Sequence, residues 1–291
     1  MSHYSIKIPA TSANLGVGFD SMGVAVAKFL TIEAELADIW QVDFVEDFLK
    51  VLPSDESNLV IETAQAVAAQ YKRELSPLRI QMASEIPLTH GLGSSSSAIV
   101  AGVELANYFA DLNLTTHEKI VLASKFEGHP DNVGPCITGG LFVGYYKDEE
   151  LFYQTASLEN VSLILSIPPY EISTEEARRA LPDEYSRAVT VEQNALSNVM
   201  VMALLQQNYQ QMGELMMRDL IHEPYRQPLI AEFDQVKAIA QAYGAYATVI
   251  SGAGPTILTL CSNDQKETVY TALQAVESFS HEIVEVYQPV S

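Results

Sequence analysis

The chain has 291 residues, 48% of them hydrophobic, enough for one large domain or two modest ones sharing a cleft. Its 16 Lys and Arg against 37 Asp and Glu give a formal charge of −21, which counts against a nucleic-acid partner or an anionic membrane surface. A nucleotide stays admissible, because salt screens surface charge beyond about 8 Å and backbone amides and a metal can dominate inside a cleft.

Residues 4–8 alternate as a strand does, and Pro9 is expected to end it. A loop of small residues follows, Pro9-Ala10-Thr11-Ser12-Ala13-Asn14-Leu15-Gly16-Val17-Gly18-Phe19-Asp20, without the strand–helix setting of a dinucleotide fingerprint. Asn14 and Asp20 suit either turn residues bonding their own backbone or ligand-facing groups. Residues 31–36 read as extended, and 39–52 mix strand-like and acidic residues. Asp55-Glu56-Ser57-Asn58 then offers caps to a helix whose Val60, Ala64, Val67 and Tyr71 form one apolar face.

Residues 77–84 read as a strand leading into Pro87-Leu88-Thr89-His90-Gly91-Leu92-Gly93-Ser94-Ser95-Ser96-Ser97. Ile99, Val103 and Ala106 follow at i, i+4 and i+7, so the loop opens a core-facing helix. Glycines let backbone approach a ligand, and a helix N-terminus favours an anion, which makes this a candidate phosphate cradle. A flexible turn with a polar cap is the alternative.

Thr115-Thr116-His117-Glu118 is a capping-box pattern opening a helix that reaches Glu127 and stops at Gly128. A carboxylate at a helix C-terminus faces the negative end of the dipole, a conflict that a nearby cation or simple solvation would relieve. The turn His129-Pro130-Asp131-Asn132 follows, and the polar patch at 147–150 is the best candidate for a domain boundary. Further on, Ser173 or Thr174 caps a short helix carrying Arg178 and Arg179. Residues 191–205 are apolar enough for an internal helix, and His222-Glu223-Pro224-Tyr225-Arg226 follows a helix around 215–220. A helical face at Phe233, Val236, Ala240 and Tyr243 ends at Gly244. Strands at 246–250 and 257–261 flank a second glycine loop, Ser251-Gly252-Ala253-Gly254-Pro255-Thr256, and residues 265–276 read as helical.

Cys136 and Cys261, with no metal-ligand spacing, fit a reducing compartment. No apolar stretch of signal-peptide length opens the chain, and later apolar segments are interrupted or short, so a soluble cytoplasmic protein is expected. Walker A is absent, the protein-kinase HRD and DFG signatures are absent, and Gly93-Ser94-Ser95-Ser96-Ser97 lacks the final glycine of a serine-hydrolase elbow.

Taken together, the three glycine loops, in this order, resemble the GHMP family of small-molecule kinases. The 87–96 segment is similar to its central phosphate loop and 251–256 to its C-terminal glycine motif. The 9–20 segment and Glu127-Gly128-His129-Pro130-Asp131-Asn132-Val133 resemble the branch that acts on L-homoserine. The resemblance implies an α+β fold: an N-terminal ribosomal S5 domain 2-like ATP-binding domain over residues 1–152, and a C-terminal α+β sandwich domain over 153–291. It also implies transfer of the γ-phosphate of ATP to the hydroxyl of L-homoserine, giving O-phospho-L-homoserine for threonine biosynthesis.

By the family pattern, Pro87, Leu88, Gly91, Leu92, Gly93, Ser94, Ser95, Ser96 and Ser97 hold the nucleotide with Gly252, Gly254 and, on the adenine side, Asn58. Ser97 or a neighbour and Glu127 hold Mg²⁺, an ion that keeps several waters and needs few protein oxygens. Asn14 and Asp20 fall on the substrate ammonium, His129 contacts substrate, and Arg178 and Arg226 grip the carboxylate, where guanidinium forks outperform lysines. Asn132, Asp131 and Glu127 stand nearest the chemistry. The turn that offers Asp131 and Asn132 contains no lysine, so in-line transfer driven by positioning and charge stabilisation is expected, the acceptor proton leaving late through water or a phosphate oxygen.

One departure is visible: the join from Glu127 to His129 is shorter than in many members of that branch. The alternatives are a kinase for another small alcohol, of mevalonate or sugar type, and a non-catalytic nucleotide- or metabolite-binding member. The arginine pair with Asp20 suits an amino-acid zwitterion better than a neutral sugar. No nucleic-acid or membrane partner is expected, and a homodimer is one possibility that nothing in the sequence decides.

Overall fold

The computed structural model describes residues 3–289. Two long strands, β1 (His3–Ala13) and β2 (Met22–Leu36), pair antiparallel along their length. Pro9 does not end β1; the register shifts between Pro9 and Ala10, and such an irregularity accommodates a residue with no N–H to donate. Next come β3 (Gln41–Phe44), a 3-10 turn over Asp47–Val51 and α1 (Leu59–Gln70), where Asn58 caps by accepting the Val60 N–H at 3.0 Å. The first half continues through β4 (Leu78–Ser84), α2 (Ser94–Phe109), α3 (Thr116–Glu127), α4 (Val133–Thr138), β5 (Leu141–Lys147) and β6 (Glu150–Ala156). Its sheet runs β3-β4-β2-β5-β6, with β1 also on β2. Thr115 and Glu118 form the anticipated capping box on α3, and Gly128 closes it in the left-handed region.

The second half comprises β7 (Val161–Ile167), α5 (Thr174–Arg179), α6 (Arg187–Leu205), α7 (Tyr209–Met216), α8 (Glu223–Arg226), α9 (Phe233–Ala242), β8 (Ala247–Ile250), β9 (Ile257–Ser262), α10 (Lys266–Leu273) and β10 (Ser280–Val284). The four strands lie in the order β10-β7-β9-β8. β7 is apolar because both its faces are covered. Leu163 and Leu165 join Leu15, Met22 and Leu141 in one core, while Ile164 joins Phe233, Val236 and Leu273 in another.

The patch at 147–150 turns out to be the tight turn of the β5–β6 hairpin, with Asp148 and Glu149 at positive φ. A division after residue 152 would therefore cut through β6; the change of sheet falls at residues 157–160. The two halves are also stitched at the end of the chain. Val286 bridges Val26 on β2, and the Ala27 N–H donates to the Glu285 carbonyl at 3.0 Å. α6 is less internal than its composition suggests: Val191 is 63% exposed and Leu205 61%, while Met200, Ala203 and Leu204 turn inward. It is the one described helix long and apolar enough to cross a membrane, and its inner edge packs into the shared core.

Candidate active site

Three loops meet where the halves join, and glycine is what lets them meet. Gly91 has φ 70°, and a Cβ there would lie 2.3 Å from the Ser251 carbonyl oxygen. Gly93, at φ 69°, would place a Cβ 2.2 Å from Thr11 Oγ1. Hydrogen bonds then lock the approach. Ser251 Oγ donates to the Gly91 carbonyl at 2.7 Å, Asn14 Nδ2 to the Gly252 carbonyl at 2.9 Å, and the Thr11 N–H to the Leu92 carbonyl at 3.1 Å. Gly93 brings no side-chain cap to α2, so the first amides of a 16-residue helix are left to face the cleft with the positive end of its dipole.

The serines of that turn divide by orientation. Ser97 is fully buried and its Oγ donates back to the Gly93 carbonyl at 2.7 Å, so it lines no part of the cleft. Ser94, Ser95 and Ser96 do line it, and Ser96 is the serine beside Glu127. Burial raises the Glu127 pKa, while the charge of His129 and the Ser96 hydroxyl favour its ionised form. A half-buried carboxylate with a hydroxyl beside it at the mouth of a phosphate cradle is a donor set that fits a hard divalent cation.

Across from α2, His129 Nδ1 pairs with Asp131 Oδ1, and Asn132 Oδ1 accepts from Thr11 Oγ1 at 2.8 Å. Burial alone would lower the His129 pKa. The hydrogen bond to Asp131 and the charges of Asp131, Asp20 and Glu127 outweigh it and raise the value to about 9. His129 is therefore an imidazolium at neutral pH, and it occupies Asp131 Oδ1. None of the described residues lining the cleft is a lysine.

Asp20, held at φ 53°, receives Arg178 Nη2 on Oδ1 at 3.3 Å. Arg226 is 3% exposed and reaches the same cleft, its Nη1 donating to the Gly252 carbonyl at 2.9 Å and its Nε to the Ala177 carbonyl at 3.3 Å. Asn14 lines the cleft but is largely committed to bracing: besides its bond to Gly252, its Oδ1 accepts the Asp20 N–H at 3.1 Å.

A second, apolar cavity adjoins the phosphate loop and shares Thr89, Ser94 and Ser95 with the cleft. Leu49, Leu52, Met82, Ile86 and Ala98 are among its walls, and Leu88 and Asn58 lie on its lining. The Asn58 carboxamide is engaged at both ends, accepting from Val60 and donating to the Pro53 carbonyl at 2.7 Å. Leu92 is buried in the main core, and Pro87 lines neither cavity.

The model of the GHMP kinases N terminal domain matches residues 58–140, and that of the GHMP kinases C terminal domain matches 200–278. A homoserine kinase of Staphylococcus aureus (strain bovine RF122 / ET3-1) is 50% identical over 272 residues, covering 92% of this chain and 90% of the relative. That of strain Newman is 48% identical over 286 residues, covering 97% and 94%. The chain belongs to the homoserine kinases of the GHMP family. The crystal structure of homoserine kinase from Cytophaga hutchinsonii superposes with a TM-score of 0.88 at 28% identity, covering 98% of this chain and 95% of that one.

Within this homoserine kinase fold, most of the residues singled out from sequence share one cleft: Asn14, Asp20, Gly91, Gly93, Ser94 to Ser96, Glu127, His129, Asp131, Asn132, Arg178, Arg226, Gly252 and Gly254. Thr11, Thr89, His90 and Thr174 were not singled out and belong to the same region. His90 Nε2 lies 3.2 Å from the Pro168 carbonyl and so ties the phosphate loop to the second half. Thr11 and His90 sit inside the glycine motifs, and that proximity was the available signal.

Proposed function

We propose that this chain transfers the γ-phosphate of ATP to the side-chain hydroxyl of L-homoserine. The observation that carries the reading is the meeting, in one cleft, of a phosphate cradle at the start of α2 with an acid and two arginines, the charges a zwitterion needs. The adenine lies in the apolar cavity beside Asn58, and the triphosphate lies along the amides of residues 91–96. Glu127 and Ser96 hold Mg²⁺, which when bound neutralises charge on the phosphates. Asp20 takes the substrate ammonium, and Arg178 and Arg226 take its carboxylate.

His129, held as an imidazolium by Asp131, places positive charge near the transferring group, and Asn132 is oriented by Thr11. With Asp131 paired and no lysine among the described residues lining the cleft, none of those side chains is poised as a general base, and positioning supplies the rate. The same reading makes this a cytoplasmic enzyme with small-molecule partners, compatible with a homodimer. Incubation with Mg-ATP and L-homoserine, followed by mass analysis, tests it: the expected product is homoserine carrying one phosphoryl group on oxygen. An unmodified acceptor would refute the reading.

A further inference from the structure

A buried polar chain runs behind the cleft and connects the loop bearing Asp20 to the helix bearing Arg226. Gln193, on α6, donates from Nε2 to the Val17 carbonyl at 3.1 Å and to Asp219 Oδ1 at 2.7 Å, and accepts the Leu220 N–H at 3.0 Å. Asp219 Oδ2 in turn accepts the N–H groups of His222 and Glu223, each at 2.8 Å, and so caps the single turn of α8. His222 is 0% exposed, and its Nε2 lies 2.8 Å from the Gly16 carbonyl. A carbonyl only accepts, so Nε2 carries the proton. Nδ1 has no partner among the described residues and burial lowers the pKa of the ring, which makes it a neutral donor.

The same ring stacks on Phe19, with centroids 5.2 Å apart and planes 20° from parallel. Phe19 also receives the guanidinium of Arg226, whose Cζ lies 5.2 Å from the ring centroid. Arg226 stands one helical turn past His222, its N–H donating to the His222 carbonyl at 3.1 Å. His222 therefore touches the Asp20 loop twice and sits on the same turn as the arginine.

That loop needs such ties. Asn14, Leu15 and Asp20 all have positive φ, a conformation that costs residues with a Cβ and persists only when surrounding structure over-determines it. An α-amino acid carries its ammonium and carboxylate on one carbon, so a site for it requires a fixed separation between acid and arginine. We propose that His222, which lies outside the cleft, is a positioning residue that sets the separation of Asp20 and Arg226 and so confers selectivity for an α-amino-acid head group. This rests on the substrate reading above, in which those two side chains bind the ammonium and carboxylate.

The test crosses enzyme variants with acceptors. The acceptors are L-homoserine, γ-hydroxybutyrate, which lacks the ammonium, and homoserine methyl ester, which lacks the carboxylate charge. His222→Phe keeps a ring against Phe19 and loses the donor to Gly16. Misplacement of this kind costs about tenfold to a hundredfold. We expect that loss in kcat/KM for L-homoserine, with ATP KM unchanged and a much smaller loss for either analogue. His222→Gln, which restores a donor at the Nε2 position, should recover part of it.

Phe19→Leu, which removes the stack, should show the same acceptor pattern and keeps the test open if His222→Phe does not fold. An equal loss for all three acceptors, or an unchanged KM for homoserine in a folded His222→Phe protein, would overturn the positioning role. Parent enzyme that used both analogues as well as homoserine would instead overturn the head-group reading itself.

Discussion

Arg178 and Asp20 meet across the cleft, with Nη2 donating to Oδ1 at 3.3 Å and side chains 43% and 35% exposed. A pair this open contributes about 0–1 kcal/mol to stability, so the fold has little need of it. It does present an acid and a base of opposite charge side by side, the complement of an amino-acid zwitterion. Substrate ammonium at Asp20 and substrate carboxylate at Arg178 would exchange one pairing for two without changing net charge.

Asp20→Asn is accordingly expected to raise the KM for L-homoserine by about tenfold or more, since hydrogen bonds to charged groups are worth about 1.5–3 kcal/mol. ATP KM should hold. Steady-state kinetics with γ-hydroxybutyrate alongside decides the matter. If the acceptor lacking an ammonium suffers the same loss, Asp20 is shaping the loop and does not bind the head group.

Arg226→Ala should cut kcat/KM for homoserine by about tenfold to a hundredfold, by the same range for charged hydrogen bonds. Homoserine methyl ester offers no charged carboxylate and should lose much less. Comparing enzyme and substrate changes in one cycle isolates that coupling. Acid and ester weakened alike would make the arginine structural, a live alternative because it also braces the Gly252 and Ala177 carbonyls.

Glu127→Gln tests the cation site. The amide is a poorer ligand for a hard cation, so most of the Mg²⁺-dependent rate should be lost, and Mg²⁺ should no longer strengthen ATP binding measured by calorimetry. The Tm should stay level or rise, because a carboxylate whose pKa burial has raised is replaced by a neutral group. Unaltered Mg²⁺ dependence would exclude Glu127 as a ligand.

What the sequence made legible was whatever local chemistry decides. The Asn58 cap, the Thr115–Glu118 capping box, the Gly128 stop and the glycine-before-helix loop each follow from a few adjacent residues, and each is present. Choosing between Ser96 and Ser97 was not local. α2 is buried on most of its circumference, so periodicity could not say which hydroxyl turns to the cleft and which bonds back to Gly93. Pro9 looks locally like a strand end, because the register shift that accommodates it depends on the partner strand. The Gln193–Asp219–His222 chain had no signal: Gln193 stands 26 residues before Asp219, and the three acquire meaning only once folding buries them together.

The interlocking of the loops can be measured by adding one methyl group. Gly91→Ala meets rigid backbone at the Ser251 carbonyl, so it should lower stability and weaken ATP binding together. Gly244→Ala is the control, since φ there is 91° and the nearest atom to a new Cβ is 3.8 Å away. It should cost only the left-handed conformation, about 1–2 kcal/mol, and leave ATP binding alone. Denaturant titrations and nucleotide affinities that fell equally in both variants would contradict the tight approach.

Glu223 makes stability depend on pH. It is 5% exposed, and burial lifts its pKa to about 8, with the Asp219 charge adding to the rise and the Ile250 N–H, Lys237 and Arg226 opposing it. In the unfolded chain a glutamate ionises near pH 4.3, about the usual value. Between those values the folded protein holds the extra proton, so this contribution to stability is complete below pH ~4.3 and declines as pH rises towards ~8. Glu223→Gln keeps an acceptor for the Ile250 N–H and never ionises. Its Tm should gain on the parent steadily from about pH 5 to about pH 8; parallel curves would mean the carboxyl titrates normally.

The most direct measurement is ADP release from Mg-ATP with L-homoserine, mevalonate, galactose and shikimate compared as acceptors at equal concentration. The acid-and-arginine clamp predicts robust turnover with L-homoserine alone, with O-phospho-L-homoserine as the product. Faster turnover with mevalonate or a sugar would contradict the substrate assignment, and no turnover with any acceptor would contradict catalysis itself.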